Sequence, residues 1–177
     1  MRLEIRLPRV LAAVAALALG AVGAAVVAQY AFDMQPCPWC VLQRFIYLVV
    51  AALALAGALA GGAVRRVAAG LGALAALSGI AAAAWQQFVG VSENSCDLSL
   101  AERITTGLHL DRLLPQLFIA YASCADAAVD LLHVPFAVWS GLLFGLLAML
   151  LLWVARAAMA PAGQDRDGER THRKAAP

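Results

Sequence analysis

"MQPCPWCVLQRFIYLVVAALALAGALAGGAVRR", residues 34–66, sets the architecture of the chain. From Phe45 to Val64 it carries no charged residue, bounded by Arg44 on one side and Arg65-Arg66 on the other. A hydrocarbon core is crossed by roughly 20 apolar residues in a helix, so this run is long enough to span one. At its head stand Cys37 and Cys40 around Pro38-Trp39, with Arg44 four residues further on. The sequence therefore sets a thiol pair and a positive charge at the mouth of a membrane helix.

Three more runs have the same character: Val10 to Ala28, Val67 to Trp85 and Pro135 to Ala155. The chain of 177 residues is 63% hydrophobic and only 14% charged, which excludes an ordinary water-soluble domain. Lipid forces backbone amides into helices or closed barrels, and the runs show no strand alternation. The expected fold is an all-α membrane protein, a bundle of four transmembrane helices (about 10–28, 45–64, 67–85 and 135–155) forming one domain over residues 1–156. The first run comes after Arg2, Arg6 and Arg9 but is longer than the 7 to 15 or so apolar residues of a secretory signal, so it reads as a retained span. Residues 157–177, polar and rich in charge, read as a disordered cytoplasmic tail.

Basic residues set the expected orientation. Ten of the thirteen Lys and Arg fall before the first run, between the second and third, or after the fourth. By the positive-inside rule both termini are cytoplasmic and the segments around Cys37 and from Gln86 to Val134 face outward. The long outer segment is acidic, and nothing in the charge pattern calls for nucleic acid. Within it Leu98, Leu100, Ile104, Leu108, Leu113, Leu114, Leu117 and Phe118 recur at helical spacing among charges. One or two short amphipathic helices on the bilayer surface are expected there.

All four cysteines, Cys37, Cys40, Cys96 and Cys124, lie in the outward segments or at their edge. In a bacterium outward is the periplasm, where disulfides persist. A bridge across a C-x-x-C closes a very small ring and constrains little chain entropy, so it is a poor staple and reads as redox-active. A helix N-terminus beneath Cys40 favours negative charge on sulfur. Arg44, on the same helix face one turn deeper, would neutralise that charge or an anion formed beside it; the alternative is an anchor whose charge reaches the interface. A structural staple and a zinc site are the other readings of the cysteines. Zinc would need four N or S ligands, and no histidine lies near the first pair. His109, His133 and His172 read as solvated. Gly57-x-x-x-Gly61 and Gly141-x-x-x-Gly145 read as helix contacts within the bundle in preference to a dimer face. Trp39, Trp85, Trp139 and Trp153 fall near span ends as an interfacial belt would, and Trp39 and Trp85 are candidates to line a pocket.

"PCPWCVLQR" at 36–44 and "SCDLSLAERITTGLHLDRLLPQLFIAYASCADAAVDLLHVPFAVWS" at 95–140, in a four-span layout, resemble the bacterial disulfide bond formation protein B (DsbB) family. The resemblance implies disulfides Cys37–Cys40 and Cys96–Cys124 in a protein-dithiol:quinone oxidoreductase of the inner membrane. A periplasmic DsbA-like carrier would be reoxidised at Cys96–Cys124, and electrons would pass through Cys37 and Cys40 to the membrane quinone pool. It implies a quinone cofactor, ubiquinone in preference to menaquinone, and no metal. By the family pattern Cys40 acts on the quinone, Arg44 steadies the anion and Cys37 resolves it. Family members commonly carry a histidine near the outer end of the third span; here "AAAAWQQFVG" offers Gln86 or Gln87 as the cofactor-binding group. An amide can hydrogen-bond a quinone oxygen but cannot titrate near neutral pH. The cysteines alone would equally serve a structural four-span protein, or a thiol reductant or haem-handling factor, since thiol–disulfide exchange is reversible.

Overall fold

Where the second span begins is decided by Cys37. Its extended backbone and its sulfur, which accepts the Cys40 amide at 3.4 Å, cap the helix, and Pro38 at the first helical position has no amide hydrogen to leave unpaired. The computed structural model, which describes residues 2–90, 99–127, 130–131 and 133–158, therefore starts this helix well before Phe45. Its elements are α1 (Arg2–Ala31), α2 (Pro38–Leu59), α3 (Gly62–Trp85), a π-helical turn (Gln86–Gly90), α4 (Leu100–Gly107), α5 (Leu110–Leu113), α6 (Pro115–Phe118), a two-residue antiparallel pair β1 (Asp130–Leu131) and β2 (Val134–Pro135), and α7 (Phe136–Ala157). Four of them, α1, α2, α3 and α7, are long and apolar enough to cross a membrane, and they form a four-helix membrane bundle. Of the disordered tail expected over 157–177, Ala157 belongs to α7 and Ala158 caps it, and residues 159–177 lie outside the described residues.

The boundaries differ from the sequence expectation at the second and third spans. The second, expected at 45–64, runs Pro38–Leu59, and the third, expected at 67–85, begins at Gly62. The turn sits at Ala60-Gly61-Gly62, where Gly62 takes φ +56°, a conformation that side chains with a Cβ seldom adopt. Arg65 and Arg66 then enter the first turns of α3 because their side chains have carbonyls to bind. Arg65 donates to Gly57 O at 3.1 Å and Ala60 O at 2.9 Å, closing the end of α2, and Arg66 donates to Ala158 O at 2.7 Å at the end of α7. Cations belong at these negative helix ends. The first and fourth spans, expected at 10–28 and 135–155, are observed within Arg2–Ala31 and as Phe136–Ala157.

Helix α3 buries Ala68, Ala69, Gly72, Ala73, Ala76, Gly79, Ala82 and Ala83, a face of small residues. Large residues of α7 fill the space: Phe144, Leu147 and Leu151 are fully buried. A Cβ at Gly79 would stand 2.5 Å from the Phe144 ring, and one at Gly72 3.3 Å from Leu151 Cδ1, so glycine here permits close approach. Gly57 and Gly141 also pack inside the bundle, against Leu11 with Ala68 and against Ala83 respectively, whereas no atom comes within 4 Å of a Cβ built at Gly61 or Gly145. The α3–α7 and α1–α2 contacts are extensive, whereas α1 touches α7 only lightly. The bundle is therefore closed along one side of α7 and loose along the other.

The segment between α3 and α7 carries the expected amphipathic helix. In α4, capped by Ser99 Oγ accepting the Glu102 amide at 3.2 Å, Ala101 and Thr105 are buried while Leu100 and Leu108 are exposed. Phe118 of α6 packs edge-on against Phe45 of α2 with ring centroids 6.4 Å apart. The chain beyond α6 returns to the head of α2, where the amides of Tyr121 and Ala122 both donate to Pro36 O, at 3.0 and 3.4 Å.

Candidate functional site

Capping α2 buries the Cys37 sulfur completely, and the helix places Cys40 one turn on, its sulfur 3.1 Å from that of Cys37. The Pro36 carbonyl, by holding Tyr121 and Ala122, brings Cys124 to the same place, and Cys124 hydrogen-bonds Cys37. That contact, the one with Cys40 and burial together push the Cys37 thiol far above its ordinary range, so it keeps its proton at neutral pH. Three of the four expected cysteines thus meet in one line: Cys124, Cys37, Cys40. Cys96 lies outside the described residues, and its pairing with Cys124 with it.

Arg44, expected beside Cys40, is 5% exposed and shares a cavity wall with it, but its hydrogen bonds run elsewhere. The guanidinium donates to Gln29 Oε1 at 2.7 Å, Leu117 O at 3.2 Å and Ala25 O at 3.3 Å. It therefore ties α1 and the segment around α6 to α2. All three acceptors are neutral, so a full positive charge stands at the cavity with no carboxylate paired to it among the described residues. A group of that kind inside a membrane bundle is costly to hold and favours an anion beside it.

The cavity, about 790 Å³, lies in the α1–α7 seam. Ala21, Ala24, Ala25 and Ala28 of α1 make its apolar wall, Cys40, Gln43, Arg44, Tyr47, Gln86 and Ser140 supply polar groups, the exposed carboxylates of Asp33 and Asp126 stand at its edge, and Trp139 lies near the N-terminal end of α7. Its size and its apolar-plus-polar lining match a site for a small lipid-soluble ring. Of the two glutamines offered by the sequence, Gln86 lines the cavity and donates to the Cys40 sulfur at 3.2 Å; Gln87 is half-buried and does not line it. Trp39 and Trp85 do not line it either: they pack on each other with centroids 6.1 Å apart, Trp39 buried and Trp85 half-exposed.

Sequence reasoning misses Gln29, Gln43, Tyr47 and Ser140. Each is a polar side chain in or beside an apolar span, and a polar group at membrane depth is itself a pointer to function. A neutral side chain within an apolar run simply stands out less than the charge of Arg44.

The chain matches the family described as disulfide bond formation protein DsbB over residues 8–154. Among curated relatives it is 32% identical to disulfide bond formation protein B of Cupriavidus metallidurans, over 72% of this chain and 79% of that one. It is 33% identical to the protein of the same name from Ralstonia nicotianae (78% and 87% covered), and 30% to that of Herminiimonas arsenicoxydans (82% and 93%). No solved structure matches it.

Proposed function

This chain belongs to the DsbB family of disulfide bond formation proteins, multi-pass membrane proteins with a thiol–disulfide redox role, and from that premise we propose that it is a quinone-linked thiol oxidase of the bacterial inner membrane. Its termini are cytoplasmic and its cysteines periplasmic in this reading. A DsbA-like carrier gives up two electrons and two protons as its dithiol becomes a disulfide at Cys96–Cys124. The same two electrons move to Cys37–Cys40, and with two protons they leave on the membrane quinone as quinol.

The observation that carries this reading is the line of sulfurs ending at a cavity. Exchange needs an attacking sulfur beside a sulfur that can leave, and Cys37 touches Cys124 on one side and Cys40 on the other. Cys37 lies buried between its two neighbours, so exchange through it would stay closed to solvent thiols. Cys40 is the sulfur that opens on the cavity. Arg44, charged and bonded only to neutral acceptors, would favour negative charge arising there.

The cavity's residues fit a quinone. Cys40 and Arg44 would hold its polar ring and the α1 alanines its apolar part, and ubiquinone is the preferred form. A bound quinone supplies a two-electron, two-proton acceptor that is soluble in lipid. What the protein adds is position and a positive charge in the wall beside one sulfur.

The test is anaerobic mixing of the purified protein with a reduced periplasmic thioredoxin-like carrier and ubiquinone, following quinol by absorbance. Quinol should form with the unsubstituted chain. Cys124→Ser should block delivery from the carrier while Cys37 and Cys40 can still be oxidised by quinone, and Cys40→Ser should abolish quinol altogether. Absence of quinol with intact, folded protein overturns the reading, and equal loss of fold in every cysteine variant would make the cysteines staples.

A further inference from the structure

Five side chains from three separate stretches of sequence form one hydrogen-bonded chain along the cavity wall. The Tyr47 hydroxyl lies 3.1 Å from both the carbonyl and the hydroxyl oxygen of Ser140. Ser140 Oγ donates to Gln43 Oε1 at 2.6 Å, Gln43 Nε2 donates to Gln86 Oε1 at 2.6 Å, and Gln86 Nε2 donates to Cys40 Sγ at 3.2 Å. Gln43 and Gln86 are 5% and 6% exposed, so neither amide has bulk water as an alternative partner. Burying two amides is expensive unless they are hydrogen-bonded, and here the oxygen and the nitrogen of each have a partner in the chain.

The chain has a direction. A serine hydroxyl has one proton, and with that proton on Gln43 Oε1 the Gln43 amide can offer only its NH2 group to Gln86. The Gln86 carbonyl is thereby occupied, and its NH2 is what remains for the sulfur. A thiolate only accepts, so once Cys40 is ionised this is the one polarity of the chain that leaves no two acceptors facing each other. Tyr47 is held at the far end by stacking on Phe144, with ring centroids 3.9 Å apart and planes 10° from parallel. Gln86 opens the π-helical turn, a feature that often marks functional positions.

We infer that Gln86 is a catalytic hydrogen-bond donor to the Cys40 sulfur and that Gln43, set by Ser140, is a positioning residue that keeps the Gln86 N–H aimed at it. The inference rests on the reading of Cys40 as the redox sulfur that meets the cavity. The donor is an amide, so its service does not change with pH, and the only titration expected in the reactivity of Cys40 is its own.

The measurement is the rate of Cys40 alkylation by iodoacetamide in the full chain carrying Cys37→Ser, Cys96→Ser and Cys124→Ser, with no quinone or carrier present. Gln86→Met and Gln43→Met, close in volume to glutamine, should each slow alkylation about tenfold at neutral pH, as loss of one hydrogen bond to a charged acceptor would. Ser140→Ala should slow it by about threefold, since Gln43 keeps its partner but loses what fixes its direction. Gln43→Glu separates positioning from packing. Protonated, its carboxyl donates to Gln86 as the amide does; ionised, it only accepts and turns the Gln86 carbonyl toward the sulfur. The ratio of its rate to the parent rate should fall as pH rises through that titration, while Gln43→Met stays uniformly slow. Thermal unfolding of each variant in detergent reports packing separately. Parent-like alkylation in folded Gln43→Met overturns the positioning role, and parent-like alkylation in folded Gln86→Met overturns the inference as a whole. Slowed alkylation together with no quinol in the carrier assay would leave this inference standing and remove the oxidase reading instead.

Discussion

Helix α7 meets two neighbours in opposite ways. Toward α3 it presents Phe144, Leu147 and Leu151 to a face of glycine and alanine, and the two helices close until a methyl group at Gly79 would collide with an aromatic ring. Toward α1 it presents Ser140 and Leu143 across a cavity of about 790 Å³ whose far wall is also alanine. Small residues line both seams, so small size alone does not close a seam. What closes one is a large side chain from the partner that fills the space; what keeps the other open is a set of polar groups anchored to one another and to backbone carbonyls at its edge. In a bilayer, where packing has no hydrophobic advantage over lipid, that distinction decides which seam is structural and which can admit a ligand.

The open seam is most sensitive at Arg44. Arg44→Met removes the unpaired charge and should raise the ubiquinone concentration for half-maximal turnover on the order of a hundredfold, as the loss of a charge-assisted contact in low dielectric would. Arg44→Lys keeps the charge but not the fork that reaches Gln29, Ala25 and Leu117, and should fall in between. Quinone titration of initial rates checks both; unchanged requirements would make Arg44 an anchor. On the closed seam, Gly79→Ala should cost about 1–3 kcal/mol of stability through overpacking, and Phe144→Leu in the same chain should recover part of it. Thermal unfolding in detergent reads the loss and its recovery. Next, Ala25→Leu fills the open seam from α1 and should weaken quinone use about tenfold with almost no change in unfolding, which separates a binding cavity from a packing defect. The smallest effect is expected away from both seams: Arg65→Ala removes the two bonds that close α2 and should cost about 0.5–1 kcal/mol, with quinol formation unaltered.

Much of this is legible in residues taken singly or in short runs. The four apolar stretches announce four spans because length and absence of charge are properties of a continuous segment. Cys37, Cys40 and Arg44 are legible for the same reason, their meaning being carried by spacing along one helix. Hydropathy misplaces the start of α2 because it stops at Arg44 and Gln43, whereas the helix continues through them wherever those polar groups find partners, and the partners Gln29, Gln86 and Ser140 come from other helices. It misplaces the end of α2 for the converse reason: Arg65 and Arg66 look like a loop until the carbonyls they bind are in view. The approach of Cys124 to Cys37 depends on a turn far along the outer segment, and no periodicity encodes it. Gln86 and Gln87 are indistinguishable in sequence, and the rotation of one residue about the helix axis separates them.

The single carbonyl of Pro36 acts as a mechanical part. It accepts two amides, from Tyr121 and Ala122, and it belongs to a residue whose ring fixes its own φ, so it is a stiff post. Cys124 hangs two residues beyond the second of these bonds and Cys37 one residue beyond the post itself. A pull on this segment that would carry Cys124 away from Cys37 loads this latch along with the contacts that Gln116, Leu117 and Phe118 make with α1 and α2. Residues 121–124 are thus held beside the head of α2 by backbone as well as by sulfur, and the spacing of Cys124 from Cys37 is set in part at Pro36.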